Sequence, residues 1–159
     1  MKKPFISHQN RLDSQNFLAE NEGELISLPT LPYVLAYDLQ RRLCEERSMN
    51  FRADTLVLLE HEPVMTLGLT TKQSHWKQQF NMAKNRGIEV IKSDRGGSVT
   101  YHGPGQILGY PILQIRKFCS GPKVYIQMLE EVIIRVLGEW GIQGTRIEKL
   151  VGVWVKDPQ

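Results

Sequence analysis

The sequence predicts an α/β (α+β) chain in which a mixed β-sheet is flanked by helices, and three observations carry that expectation. Short apolar runs of strand length alternate with amphipathic stretches of helical period. Turn formers, chiefly Gly and Pro, punctuate the junctions between them. The 159 residues, 41% of them hydrophobic and 23% charged, are enough for one domain with a buried core. We expect a flexible polar segment over 1–24 and a single domain over 25–159, with several strands, three main helices and no internal repeat.

The first strand is GELISL (23–28), stopped by Pro29. After Pro32, YVLAYDLQRRLCEER places Leu35, Leu39 and Leu43 four residues apart with Ala36 beside them, one apolar stripe against Asp38, Arg41, Arg42, Glu45 and Glu46. TLVLL (55–59) is almost continuously apolar and reads as a strand buried on both faces. Pro63 breaks it before VMTLG resumes. Ser74 is placed to cap a short helix with Trp76, Phe80 and Ala83 inward and Gly87 as its stop. Ile88 to Lys92 and GQILGYPILQI are further strands. Pro122 opens the longest helix, whose Tyr125, Leu129, Val132, Ile133, Val136, Leu137 and Trp140 form a wide face for burial, and Gly141 closes it. RIEKLVGVWV is extended.

Charge and cysteine content narrow the function classes. A net charge of +3 from 20 basic and 17 acidic residues is too small and dispersed for a nucleic-acid surface. No apolar run is long enough to cross a bilayer, and the acidic N-terminus is neither a secretory nor an organellar leader. A cytoplasmic protein is expected. Cys44 and Cys119 form no CxxC or Cys-His cluster, which argues against a zinc site and for free thiols. Cys44 is read as a packing residue. Cys119 lies ahead of a helix N-terminus near Arg116, Lys117 and Lys123, a setting that lowers thiol pKa values. It lacks an acid/base partner and oxyanion donors in sequence, so a catalytic role is disfavoured. His8 and His75 read as solvated, and His61 as a strand-end residue bonded to backbone; no two histidines have metal-ligand spacing.

The most informative stretch is DRGGSVTYHGPGQ (94–106), with four glycines, a proline, an arginine and a histidine between apolar runs. Three readings compete. It is a hairpin or bulge in which Gly96, Gly97, Gly103 and Gly105 supply φ > 0, a phosphate loop, or a substrate groove. The phosphate reading lacks the terminal GKS/GKT and a strong helix pattern behind the glycines. In the groove reading a ligand lies on the bare Gly96–Gly97 backbone beside the Arg95 charge. Strand alternation then puts Ser98, Thr100 and His102 on one face and Val99 and Tyr101 on the other.

The run RGGSVTYHGPGQILGYPI closely resembles the signature of the lipoyl(octanoyl) transferases. YDLQ (37–40), LLEHEPVMTLG (58–68), YIQMLEE (125–131), GI (141–142) and GVWV (152–155) fit the same family in the same order. The related ATP-using lipoate ligases typically carry a GGG-x-V-x-H-D-x-G-N type run, and the HGPGQ ending here differs. The resemblance implies a biotin/lipoate protein ligase catalytic-domain fold over 25–159. It also implies transfer of an octanoyl group from octanoyl-acyl carrier protein to a lysine of lipoyl domains, in 2-oxoacid dehydrogenases and the glycine cleavage H protein, through an acyl-cysteine. Arg95, Gly96, Gly97, Ser98, Val99, Thr100, Tyr101 and His102 would line the acyl site, with no metal and no cofactor. No nucleic-acid or membrane partner is implied. The family's activating lysine and nucleophilic cysteine follow the GVW segment in motifs that this sequence, ending at Asp157-Pro158-Gln159, does not contain. Lys156 lacks the motif context for the first role. On this reading the domain is C-terminally incomplete, and the strand at 151–155 is expected to lack a partner. The rival readings are a remnant that binds a medium-chain acyl group without transferring it, and a relative of the lipoate or biotin ligases.

Overall fold

The computed structural model describes residues 23–156 except Gln73 and His75. The N-terminal segment, His8 and His75 therefore lie outside the described residues. Two compact units divide the chain after Leu113.

In the first unit the strands are shared between two three-stranded sheets, each with one parallel and one antiparallel pairing. One has β2 (Thr55–Leu59) at its centre, parallel to β1 (Glu24–Ser27) and antiparallel to β6 (Leu108–Ile112). In the other, β3 (Val64–Leu67) is central, parallel to β4 (Glu89–Lys92) and antiparallel to β5 (Val99–His102). The mixed α and β class holds, although the single continuous sheet does not. Pro63 between β2 and β3 is where the chain leaves one sheet for the other. Pro111 is tolerated because β6 is an edge strand.

Helix α1 (Tyr33–Ser48) covers the first sheet. Ala36 and Leu43 pack with Val57, Leu59 and Ile112 into one core, and Leu39 adds to it. Full burial of a leucine such as Leu43 contributes roughly 1.5–3 kcal/mol. The stripe is rotated from the expected one: Tyr33 is buried and Leu35 is 57% exposed. Four-residue steps overshoot a 3.6-residue turn, so a 35–39–43 line drifts off the core that 33–36–43 follows. Cys44 falls outside that stripe and is exposed, contrary to its expected packing role. The helix stops with Asn50 at φ 58° and Phe51 N–H donating to Glu46 O, a left-handed C-terminal cap. Strand β2 is not buried on both faces. Thr55, Val57 and Leu59 are buried, Leu56 is exposed and Leu58 half-buried, because the sheet is covered by helix on one side.

Helix α2 (Lys77–Asn85) begins three residues after Ser74, which is thus not its N-cap. Ala83 packs with Met65 and Leu67 in a second core, joined by Trp76, Ile88, Val90 and Val99. Gly87, at φ +67°, ends the helix as expected, with Ile88 N–H returning to Ala83 O. Strand β3 is buried at all four positions, as a central strand should be.

The second unit holds a 3₁₀ turn (Ile115–Lys117), α3 (Pro122–Glu139) and a hairpin of β7 (Gly144–Ile147) and β8 (Leu150–Val155). Pro122 is the first residue of α3, and Gly141 closes it at φ +73°. The predicted wide buried face is only partly used. Tyr125, Leu129 and Leu137 are half-buried, whereas Val132, Ile133, Val136 and Trp140 are exposed. Arg146 ties the hairpin to α3 through Glu130 and Glu131, and Glu130 also accepts from Gly152 N–H. The run expected as one extended segment is folded back at Glu148–Lys149, so β8 has β7 as its antiparallel partner. No helix among the described residues is long and apolar enough to cross a membrane.

Candidate acyl site

Register explains why the glycine-rich stretch must bend where it does. Leu67 pairs with Lys92 on one side and Val99 on the other, so the β4–β5 connection has to arch over the C-terminal end of β3. That arch is residues 93–98. It is stitched to the strand end by Ser93 N–H donating to Leu67 O (2.9 Å), Gly68 N–H to Ser98 O (3.1 Å), Leu69 N–H to Arg95 O (3.0 Å) and Thr70 N–H to Gly97 O (3.1 Å). Gly97 takes φ +81°, and a Cβ at Gly68 would lie 2.4 Å from Gly97 O. Of the four glycines expected to supply positive φ, Gly97 and Gly105 do so, and Gly96 and Gly103 do not.

Arg95 turns inward. Its Nε and Nη2 donate to the Thr66 hydroxyl at 2.9 and 2.8 Å, Nη2 also to Thr66 O and Ser98 O, and Nη1 to Gly96 O. Thr66 is fully buried. The guanidinium expected to face a ligand as a free fork is thus engaged at all three nitrogens in holding the arch. Gly96 and Gly97 above it are exposed, and nothing lies within 4 Å of a Cβ placed on Gly96, which leaves bare backbone open.

Along β5 the alternation holds, with a different consequence for each face. Val99 is spent on the second core, and Tyr101, half exposed, lies over Gly103. Thr100, opposite Thr66, and His102, opposite Val64, are half-buried, as is Ser98.

At the end of β5 the structure assembles residues that sequence reasoning did not bring together. The His102 ring stacks on Tyr33 (6.5 Å between centroids, 7° between planes), and His61 meets both rings edge-on at 5.3 Å from Tyr33 and 5.8 Å from His102. Tyr33 hydroxyl bonds Ser93 Oγ (2.8 Å), and Tyr37 hydroxyl donates to Asp94 Oδ2 (2.8 Å), which fastens the start of α1 to the arch. That bond, with burial second, holds the Tyr37 phenol above its usual pKa and keeps it a donor. His61 is fully buried and makes the bond to backbone expected of it. Its Nδ1 lies 2.9 Å from Leu31 O and its Nε2 2.6 Å from the Tyr110 hydroxyl. The signal available in sequence was the spacing of Tyr33 and Tyr37, one helical turn apart; nothing local marks Tyr110 as their neighbour.

Burial lowers the His61 pKa from 6.5, and His102 nearby lowers it further. Folding therefore excludes a proton that the unfolded chain binds below about pH 6.5. The stability so gained is fully present above that pH and is lost as pH falls towards the lowered folded value. We expect the thermal midpoint to drop between about pH 7.5 and 5.5, and His61→Phe to flatten that slope. An equal slope in both proteins would mean that His61 is not the group responsible.

Cys119 belongs to the second unit, where its thiol lies against the carbonyls of Ile115 and Gly121. Neither carbonyl can take up a thiol proton, so neither contact supplies an acid/base partner. No cluster of three or more metal-binding side chains occurs among the described residues.

With this geometry in view, comparison with known proteins is direct. Residues 32–158 match the lipoyl protein ligase A/B catalytic domain. The octanoyltransferase of Koribacter versatilis is 43% identical over 141 residues, covering 86% of this chain and 55% of that protein. The octanoyltransferase of Chloroflexus aurantiacus is 44% identical over 130 residues, covering 82% and 58%. The chain thus spans a little over half the length of the curated relatives it matches. Among solved structures, lipoate-protein ligase A bound with ATP aligns with a TM-score of 0.54 at 16% identity, over 84% of this chain and 53% of that one. A bi-partite lipoate protein ligase from Thermoplasma acidophilum aligns with a TM-score of 0.51 at 16% identity, over 80% and 49%. At such identities the likeness is one of fold, and it agrees with the expected ligase-like architecture. The family match runs from the start of α1 through the Arg95 arch to β8, and the chain belongs to the lipoyl protein ligase A/B catalytic domain family.

Proposed function

We propose that the protein is an octanoyltransferase of lipoate biosynthesis, and that the stretch from Arg95 to His102 is its acyl site. The observation that carries the reading is the arch itself, an exposed Gly96–Gly97 backbone fixed in place by an internally bonded arginine. Bare backbone admits an acyl chain closely, and its N–H and C=O groups can orient a carbonyl end. Ser98, Thr100 and His102 continue that site along one face of β5. Arg95 serves as its support, and Val99 and Tyr101 belong to its frame. Sequence identity of 43–44% to proteins named octanoyltransferase supports the substrate.

In this reading a cysteine thiolate of the whole protein attacks the thioester of octanoyl-acyl carrier protein and frees the carrier thiol. A lysine amine of a lipoyl domain, in a 2-oxoacid dehydrogenase or the glycine cleavage H protein, then displaces the cysteine and forms the amide. Thioester exchange of this kind needs no ATP. Such a protein would work in the cytoplasm, where carrier and acceptor meet.

The test is to mix the whole protein, with the cysteine this reading requires, with octanoyl-acyl carrier protein and a lipoyl domain and weigh the domain by mass spectrometry. An octanoyl increment formed without ATP is the expected result. An increment that requires free lipoate and ATP would replace the reading with a ligase. Octanoate binding without any transfer would favour a non-catalytic acyl-binding role.

A further inference from the structure

Charge is unevenly distributed along the second unit. No Asp or Glu occurs between Asp94 and Glu130, so the 3₁₀ turn and the first two turns of α3 carry cations only: Arg116, Lys117 and Lys123. All three are exposed. Further along, Arg135 pairs with Glu131, Arg146 with Glu130 and Glu131, and Lys149 with Glu148. Arg116, Lys117 and Lys123 have no such acid among the described residues.

These three cations are displayed on an ordered bend. The 3₁₀ turn is closed by Lys117 N–H to Gln114 O (2.9 Å) and by Phe118 and Cys119 N–H to Ile115 O (2.9 and 3.1 Å). The Cys119 thiol touches the carbonyls on both sides of it, Ile115 O at 3.7 Å and Gly121 O at 3.5 Å, which draws the turn against the start of the helix. Gly121 O also accepts from Tyr125 N–H (3.1 Å). Ile115 and Phe118 are exposed apolar residues on the same bend. Lys123 stands in the first turn of α3, which contains no acid and has no side-chain cap. The helix dipole disfavours a cation there and favours an anion. Exposed cations gathered around two exposed apolar side chains suit a charge-steered contact with an acidic protein.

We propose that Arg116, Lys117 and Lys123, with Ile115 and Phe118 beside them, form the surface on which the acyl carrier protein docks. This rests on the octanoyl-transfer reading above. Of the two protein substrates in that reading, the carrier fits these residues. It is an acidic protein whose acyl arm is joined through a phosphodiester, so it brings negative charge to the contact. A lipoyl domain brings a lysine, which approaches as an ammonium and is repelled by cations. The carrier must also leave after every turnover, and exposed charges give fast association without tight binding.

The test compares the whole protein with the double variant Arg116→Glu, Lys117→Glu, with Lys123→Glu and, as a control for net charge, with Arg135→Glu. Octanoyl loading is followed from octanoyl-acyl carrier protein and from octanoyl-pantetheine, which offers the same thioester without the carrier. The double variant and Lys123→Glu should each raise KM for the carrier about tenfold, and added salt should shrink the difference from wild type. Loading from octanoyl-pantetheine should be unchanged, as should both reactions in Arg135→Glu. Lys123→Glu should also raise the thermal midpoint, because an acid suits that helix end, and this separates lost docking from lost folding. An unchanged KM for the carrier in the reversed variants, or an equal rise in Arg135→Glu, would overturn the assignment. So would a rise confined to the KM for the lipoyl domain, which would put the acceptor on this surface instead. If the wild type loads from neither thioester, the transfer reading falls. Calorimetric binding of octanoyl-acyl carrier protein to wild type and variants then decides separately whether this surface holds the carrier.

Discussion

Replacing Arg95 with Met is expected to cost about 3 kcal/mol of folding stability and to abolish octanoate binding. The side chain donates to the Thr66 hydroxyl and carbonyl, to Ser98 O and to Gly96 O, within 2.8–2.9 Å. Methionine keeps the bulk of the stem and removes every donor. Thr66 is fully buried, so no water replaces them there, and charged donors are worth more than neutral ones. The arch over β3 would then depend on its four backbone bonds to residues 67–70. Arg95→Lys should recover little, because an ammonium cannot reach the Thr66 hydroxyl and three carbonyls with one planar fork. Urea unfolding and octanoate titration, done on the same samples, separate two roles. Lost stability and lost binding together identify a support. Lost binding at unchanged stability would mean that the guanidinium meets the ligand itself, and the inward assignment would be wrong.

What could be read from the sequence divides along the line between local and long-range causes. Pro122, Gly87 and Gly141 were legible because helix ends depend on φ restrictions within a few residues. That the chain bends sharply at DRGGSVTYHGPGQ was legible too, since the stretch concentrates conformational exceptions in a sheet region, and Gly97 and Gly105 do take positive φ. The inward turn of Arg95 was not. It is set by Thr66, 29 residues away, which becomes a neighbour only when β3 is flanked by β4 and β5. The same holds for His61, whose partners Leu31 and Tyr110 come from opposite directions along the chain. Strand β2 looked buried on both faces because leucines on its open side read like leucines in a core. The apolar face of α3 was visible as periodicity, yet Val132, Ile133, Val136 and Trp140 remain exposed. Amphipathic spacing states that a face is apolar and does not state what covers it.

Two glycines in the site make opposite predictions, and together they separate architecture from binding. At Gly68 an added methyl would sit 2.4 Å from Gly97 O and 2.9 Å from both Gly96 O and Arg95 Nη1. Backbone carbonyls stitched by hydrogen bonds cannot yield as a flexible side chain would, so Gly68→Ala must push the arch off β3. A destabilisation of about 2 kcal/mol is expected, with octanoate affinity falling at least about tenfold. At Gly96 the methyl meets nothing within 4 Å and the backbone is not left-handed. Gly96→Ala should therefore leave stability within about 0.5 kcal/mol. It should still weaken octanoate binding, because the methyl covers the surface on which the chain is proposed to lie. Chemical unfolding and calorimetric titration of the two variants distinguish these effects. If Gly96→Ala bound octanoate as the wild type does, bare backbone at 96–97 would not be the acyl floor. The arch would then be needed for its shape alone, and the ligand would have to be sought along Ser98, Thr100 and His102.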